Sequence, residues 1–128
     1  MPDHSLTPKT ALVVDDSMLI RHSVCRFLEE RGFIVEAATN GLEALRVLEH
    51  FIPDIIITDL SMPRMGGVEL VSLVRQRAEF AQMPILVLSA RRNANDLLQE
   101  LPPEIAAVIF KDIDIEEQLV RALAHALA

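Results

Sequence analysis

Hydrophobic residues in this chain fall into five short runs that alternate with longer amphipathic segments. Each run is rich in aliphatic residues and lacks the apolar–polar alternation of a half-exposed strand, which is typical of strands buried on both faces of a parallel sheet. The runs lie at 10–15, 33–38, 54–59, 84–89 and 106–110. The pattern therefore predicts five strands, each followed by a helix.

Helical spacing of apolar residues marks the segments that follow the runs. Four of them show stripes with a period of three to four residues. These stripes are Ile20, Val24, Phe27 and Leu28; Leu42, Leu45 and Leu48; Leu70, Leu73 and Val74; and Ile115, Leu119, Leu123 and Leu127. Gly32 is predicted to end the first helix, and Asp114 to be the N-cap of the last. A short fourth helix is predicted at 93–101, before two prolines.

Alternating strands and helices predict an α/β fold, because right-handed crossovers place the strands parallel, with helices on both faces. The length of 128 residues suits one domain. We expect residues 1–8 to be a flexible lead and residues 9–127 to form the domain. In such sheets the functional cleft lies beyond the carboxyl ends of the strands, so the residue that ends each run is the one to inspect.

Composition narrows the function classes. The net charge of −7 argues against nonspecific binding of nucleic acid, which requires clustered basic residues. The single cysteine, Cys25, excludes an internal disulfide and favours a reducing compartment. No apolar run approaches the roughly 20 residues of a membrane-spanning helix. We therefore expect a cytoplasmic location.

Polar side chains stand where the predicted strands end. Asp15 and Asp16 follow strand 1, Asp59 ends strand 3, Ser89 ends strand 4 and Lys111 follows strand 5. Three neighbouring carboxylates repel one another, so the arrangement is costly unless a cation binds there. Mg²⁺ prefers oxygen ligands and is commonly held by one or two carboxylates together with water and phosphate oxygens. The pattern therefore predicts a Mg²⁺ site at this edge of the sheet.

Four motifs together resemble the receiver domain of bacterial two-component response regulators, in particular single-domain receivers of the chemotaxis-regulator type. They are "VVDDS" (13–17), "DIIITDLSMPRMGG" (54–67), "LSA" (88–90) and Lys111. The resemblance covers about residues 9–127. It implies a flavodoxin-like, doubly wound, five-stranded parallel sheet with five helices. It also implies a switch that accepts a phosphoryl group on an aspartate from a histidine kinase or histidine phosphotransfer protein.

The resemblance assigns a role to each site residue. It implies that Asp59 is the phosphoacceptor and a Mg²⁺ ligand, and that Asp16 is a direct ligand. Asp15 would act on the metal mainly through water, and Ser61 would contribute its backbone carbonyl.

Two further residues would serve the phosphoryl group. Ser89 matches the hydroxyl that turns toward the phosphoryl group, and Lys111 matches the family's lysine. Pro63 with Gly66 or Gly67 matches the loop that leads into the third helix. The chemistry is consistent, because phosphoryl transfer to a carboxylate depends mostly on positioning and on charge neutralisation.

Two positions depart from the family pattern. Val108 occupies a position where the family often has an aromatic side chain that swings inward on activation. Asp112 follows Lys111, where a proline is usual, so we expect a trans Lys111–Asp112 peptide bond. We expect downstream partners to bind the surface of the fourth predicted helix, the fifth strand and the fifth predicted helix, without an aromatic toggle.

Four alternatives stay open at this level. The chain is either a receiver that acts without an output domain or a fragment of a longer regulator, such as a transcription factor or a hybrid kinase. A Mg²⁺-dependent aspartyl-phosphate phosphohydrolase is disfavoured because Ser61 stands where a second acid is expected. A degenerate, phosphate-independent receiver is disfavoured by the complete site. We expect no enzyme activity beyond its own phosphorylation and dephosphorylation, and a phosphorylation-dependent dimer is compatible with this reading.

Overall fold

The computed structural model describes residues 9–60, 62–90, 105–111 and 114–127. The strands β1 to β5 form one parallel sheet in the order β2-β1-β3-β4-β5. Their bounds are Thr10–Val14, Ile34–Ala38, Ile55–Asp59, Ile85–Ser89 and Ala107–Phe110. This strand order is that of the flavodoxin-like fold, so the predicted architecture is confirmed.

Four α-helices and one short 3₁₀ helix lie in the described ranges. The α-helices α1 to α4 span Met18–Glu30, Gly41–Val47, Gly67–Arg75 and Ile115–Ala126, and the 3₁₀ turn spans Ala78–Phe80. Helix α4 is the fifth predicted helix, and the Asp114 side chain caps it by accepting the Glu117 N–H. The fourth predicted helix at 93–101 and the predicted lead at 1–8 lie outside the described residues.

Helices cover both faces of the sheet. On one face α1 and α4 pack over the strands, and Phe27 and Leu119 are buried in the hydrophobic core between the helices and the sheet. On the other face α2, α3 and the 3₁₀ turn pack through residues such as Ala44, Leu70 and Phe80. The core is largely aliphatic, as five phenylalanines and no other aromatic residue in 128 positions require. Within the described ranges, no helix combines the length and the apolar character needed to cross a bilayer.

The prediction that every strand is buried on both faces is wrong for β2. Its residues Ile34, Glu36 and Ala37 are exposed, whereas all residues of β3 and β4 are buried. The physical reason is position, because β2 lies at the edge of the sheet and lacks a neighbouring strand on its outer side. Strand β5, at the other edge, is mostly half-buried.

Candidate functional site

The turn after β1 holds one carboxylate inside the protein and exposes the next. Asp15 is fully buried, and its Oδ1 accepts the Ser17 N–H at 2.8 Å. Its backbone carbonyl accepts a hydrogen bond from Arg21 Nη1 at 2.9 Å. The Ser17 hydroxyl in turn accepts the Ile20 N–H at 3.3 Å and caps α1. Asp16 is exposed between these fixed neighbours, so solvent reaches its carboxylate.

The loop after β3 brings the start of α3 against the backbone of Asp59. The Leu60 carbonyl accepts the Gly67 N–H at 2.8 Å. A Cβ atom on Gly67 would stand 2.4 Å from the Asp59 carbonyl oxygen, so only glycine fits this approach. Arg64 has a φ of 72°, a left-handed conformation that is uncommon outside glycine and that helps the loop to turn back. Asp59 itself is buried at the end of the strand.

Lys111 joins the two buried carboxylates. Its Nζ lies 2.8 Å from Asp15 Oδ2 and 3.2 Å from Asp59 Oδ1. The Lys111 backbone N–H donates to the Ser89 carbonyl at 2.8 Å, which fixes the lysine beside the end of β4. The Ser89 side chain is also buried there. The carboxyl ends of β1, β3, β4 and β5 thus meet at one compact polar site.

Two opposing effects act on the pKa of Lys111. Burial lowers the pKa of the ammonium, because it disfavours the charged form. The hydrogen bond to Asp15 and the negative charges of Asp59 and Asp15 act in the opposite direction and prevail, so the pKa lies above its ordinary value. Lys111 is therefore a fixed positive charge at neutral pH.

The acidic cluster suits a hard divalent cation. Asp15, Asp16 and Asp59 each place one carboxylate oxygen so that the three oxygens lie within 4.8 Å of one another. Both oxygens of Asp15 already have partners, Ser17 N–H and Lys111 Nζ. The exposed carboxylate of Asp16 is open to waters that would complete an octahedral shell. The donor set is therefore compatible with Mg²⁺, with Asp16 better placed than Asp15 for direct coordination.

The structure brings together most of the residues that the sequence singled out. Asp15, Asp59 and Lys111 are in contact, Asp16 adjoins them, and Ser89 ends the neighbouring strand. Ser61 and Asp112 lie outside the described residues, so the backbone ligand and the trans peptide bond stay predictions.

Sequence reasoning missed two side chains that hold the site from α1 and α4. They are Arg21, bound to the Asp15 carbonyl, and Gln118, bound to the backbone of Phe110. Helical spacing places Arg21 one turn after Ser17, which is a usable signal. No sequence signal points to the Gln118 contact.

The strand order and the cluster of three carboxylates at the ends of β1 and β3, where the order reverses, define a flavodoxin-like protein with an acidic site at its switch point. The chain belongs to the response regulator receiver domain family, whose model matches residues 11–124. It is thus the receiver domain of a two-component response regulator. Such domains are signalling switches that bind Mg²⁺ at an acidic pocket and are phosphorylated by histidine kinases or phosphotransfer proteins.

Individual relatives agree with this assignment. The chain is 35% identical over 111 residues to response regulator Rre1 of Synechocystis, covering 86% of this chain and 48% of that protein. It is 33% identical over 108 residues to the Regulator of RpoS of Escherichia coli K12, covering 84% and 32%. The solved chemotaxis response regulator CheY4 of Vibrio cholerae matches with a TM-score of 0.85 and 33% identity, covering 94% and 99%. The chain spans about half the length of the first curated relatives that it matches.

Proposed function

We propose that Asp59 accepts a phosphoryl group from a histidine kinase or a histidine phosphotransfer protein, and that the resulting phosphoaspartate changes the surface of β5 and α4, together with the helix that the sequence predicts at 93–101. The observation that carries the proposal is the pairing of a buried Asp59 with Lys111, within 4.8 Å of two further carboxylates. Buried acids in such close groups are unfavourable for stability, so a role in binding and chemistry accounts for their presence.

The residues of the site fit an in-line transfer. A carboxylate oxygen of Asp59 attacks phosphorus, an O–P bond forms as the P–N bond of the donor phosphohistidine breaks, and the imidazole leaves. Lys111 neutralises the charge that spreads over the phosphoryl oxygens during transfer. Bound Mg²⁺ would supply additional positive charge there, held by Asp16 and Asp59, by Asp15 through water and by the backbone carbonyl of Ser61.

Ser89 would respond to the phosphoryl group on Asp59. Its hydroxyl is buried at the end of β4, and its carbonyl is bonded to the Lys111 N–H. Phosphorylation adds about −1.5 to −2 charge at the site. A hydroxyl that turns toward the new oxygens stabilises one of two pre-existing arrangements of this region, which shifts their populations.

The readout surface follows from the same region. A groove of about 280 Å³ lies between β5 and α4, with Val108, Gln118 and Arg121 among its lining residues. Val108 packs with Phe110 against the buried Val87 of β4. Its short, branched side chain has restricted rotamers, so the switch works without an aromatic toggle. Downstream proteins, or a second phosphorylated copy, would bind this surface.

Intact-mass measurement after incubation with Mg²⁺ and a small acyl phosphate tests the proposal. We expect a single phosphoryl adduct on the wild type and none on Asp59→Asn. Asp54→Asn is the matched control, because Asp54 flanks the same strand at its other end and lies outside the site. An adduct that persists in Asp59→Asn, or that forms without Mg²⁺, would contradict the proposal.

A further inference from the structure

A side chain of α4 binds both backbone polar groups of the residue before Lys111. The Phe110 N–H donates to Gln118 Oε1 at 2.9 Å, and Gln118 Nε2 donates to the Phe110 carbonyl at 2.8 Å. Nε2 also donates to the Asp114 carbonyl at 3.2 Å. The amide therefore uses its acceptor oxygen once and both of its N–H donors, which fixes its orientation.

Part of this contact has a purely structural explanation. Strand β5 is an edge strand, so its outer backbone groups lack a neighbouring strand and need other partners. Gln118 supplies such a partner in the way that a peptide group would. This role alone would stabilise the sheet without any effect on chemistry at the site.

The location of the contact suggests a second role. Phe110 is held by α4 from one side, and the next residue, Lys111, donates its backbone N–H to Ser89 of β4 from the other. The two restraints act on consecutive residues and therefore fix the position of the Lys111 backbone, from which its side chain extends. That side chain is 15% exposed, and its Nζ contacts Asp15 and Asp59 simultaneously. A small displacement of the backbone would lengthen at least one of these contacts.

We propose that Gln118 is a positioning residue that holds the end of β5 so that the Lys111 ammonium meets Asp59 and Asp15 together. The inference rests on the proposed function for its effect on phosphoryl transfer. Its structural part, the coupling between Gln118 and Lys111, is independent of phosphorylation. Charge stabilisation depends on a preorganised cation, and a misplacement of about 1 Å costs up to about a hundredfold in rate.

The first test is a double-mutant cycle on urea unfolding without Mg²⁺, using Gln118→Met, Lys111→Met and the double variant. Methionine keeps similar length and volume but removes the amide. If Gln118 acts through Lys111, the two effects on the unfolding equilibrium constant should depart from multiplicativity by about threefold or more. A multiplicative result would reduce Gln118 to a cap on the strand edge and would overturn the inference.

The second test measures phosphorylation by a small acyl phosphate at saturating Mg²⁺. Gln118→Met should lower the rate constant about tenfold. The Mg²⁺ dissociation constant should stay within about twofold, because the acidic ligands lie at the carboxyl ends of β1 and β3 and not on β5 or α4. In a Lys111→Met background the Gln118 substitution should have no further effect on the rate. An unchanged rate in Gln118→Met would also overturn the inference.

Matched variants complete the design. Glu117→Met removes an exposed ion pair with Arg121 on the same helix and should leave the rate unchanged. Gln118→Glu keeps the acceptor for the Phe110 N–H but loses the donor to the Phe110 carbonyl, so it should lower the rate by a smaller factor. If Gln118→Met does not fold, Gln118→Glu replaces it in both the unfolding cycle and the rate measurement. If the wild type forms no adduct, the proposed function fails, and the unfolding cycle alone decides whether Gln118 positions Lys111.

Discussion

The two ends of β3 carry the same residue type in opposite circumstances. Asp54, just before the strand, is exposed, and its Oδ2 accepts hydrogen bonds from the N–H and hydroxyl of Thr10 at 2.8 and 3.1 Å. Asp59, at the other end, is buried and paired with Lys111 beside two more carboxylates. Asp54 ties β1 to β3 with neutral donors at little cost. Asp59 adds a negative charge in a buried position, where an ionised group is unfavourable for folding. Such an arrangement is typical of functional sites.

The largest loss of stability is expected from Gly67→Ala, at the Asp59 end of β3. The added methyl carbon would stand 2.4 Å from the Asp59 carbonyl oxygen and 2.9 Å from the Leu60 Cα atom, both backbone atoms with little freedom to move. We expect a loss of about 3 kcal/mol in the free energy of unfolding. Urea denaturation measures it. Gly66→Ala, whose nearest contact would be 3.1 Å, should cost clearly less, and equal losses would contradict this packing argument.

Mg²⁺ should stabilise the Asp59 end and leave the Asp54 end unaffected. At a hundred times its dissociation constant, a ligand adds about 2.7 kcal/mol. For a domain of this size this corresponds to roughly 10 °C in melting temperature. Asp16→Asn should abolish the shift and should raise stability without Mg²⁺, since one of three like charges is gone. Asp54→Asn should retain the full shift. A full shift in Asp16→Asn would rule out Asp16 as a ligand.

Lys111→Met tests how much the ammonium of Lys111 stabilises the buried carboxylates. We expect a loss of about 2 kcal/mol at pH 7, less than for a fully buried pair because Lys111 remains partly exposed. The pKa of Lys111 is raised, so its stabilising effect is complete below the ordinary lysine value of about 10.4 and is lost as the pH rises through the folded-state pKa. Unfolding curves of both proteins should therefore converge at strongly alkaline pH.

An exposed ion pair provides the control for the lysine variant. On α1, Arg26 Nε lies 3.5 Å from Glu30 Oε2, and both side chains are well exposed. Arg26→Met should change stability by less than about 0.5 kcal/mol. A cost similar to that of Lys111→Met would mean that the buried position of the lysine contributes nothing special.

At the opposite end of β3 the expected effect is smaller than at the Asp59 end. Asp54→Ala removes two hydrogen bonds that Thr10 donates, in a solvent-exposed setting where water replaces them. We expect a loss of about 1 kcal/mol and unchanged phosphorylation. Thermal melts and intact-mass measurement would show both. A loss of phosphorylation here would erase the distinction between the two aspartates.

The sequence was sufficient for the strands and for the acidic pocket. The aliphatic runs located all five strands to within about one residue at each end, because buried parallel strands tolerate few polar residues. The ends of these runs located Asp15, Asp59, Ser89 and Lys111, because parallel strands place their carboxyl ends on one side. Neither conclusion required tertiary contacts.

Other features depended on tertiary contacts that a linear pattern does not encode. The exposure of β2 follows from its place at the edge, and strand order is not visible in hydrophobic runs. The motif matched either Gly66 or Gly67 to the loop before the third helix, and it did not show that Gly67 lies against the Asp59 carbonyl, where a Cβ atom does not fit. The Gln118 contact joins a helix to the end of a strand, and it depends on how α4 lies against β5.

The exposure of Asp16 next to two buried acids has a consequence for the order of events at the site. Among the three described carboxylates of the site, only that of Asp16 is exposed, so an approaching ion first encounters negative potential, within a chain whose net charge is −7. Such a potential draws cations in and slows anions over about a Debye length. If the proposed function holds, an anionic phosphodonor would arrive most readily after a cation has bound, and dilute salt would accentuate that sequence of arrival.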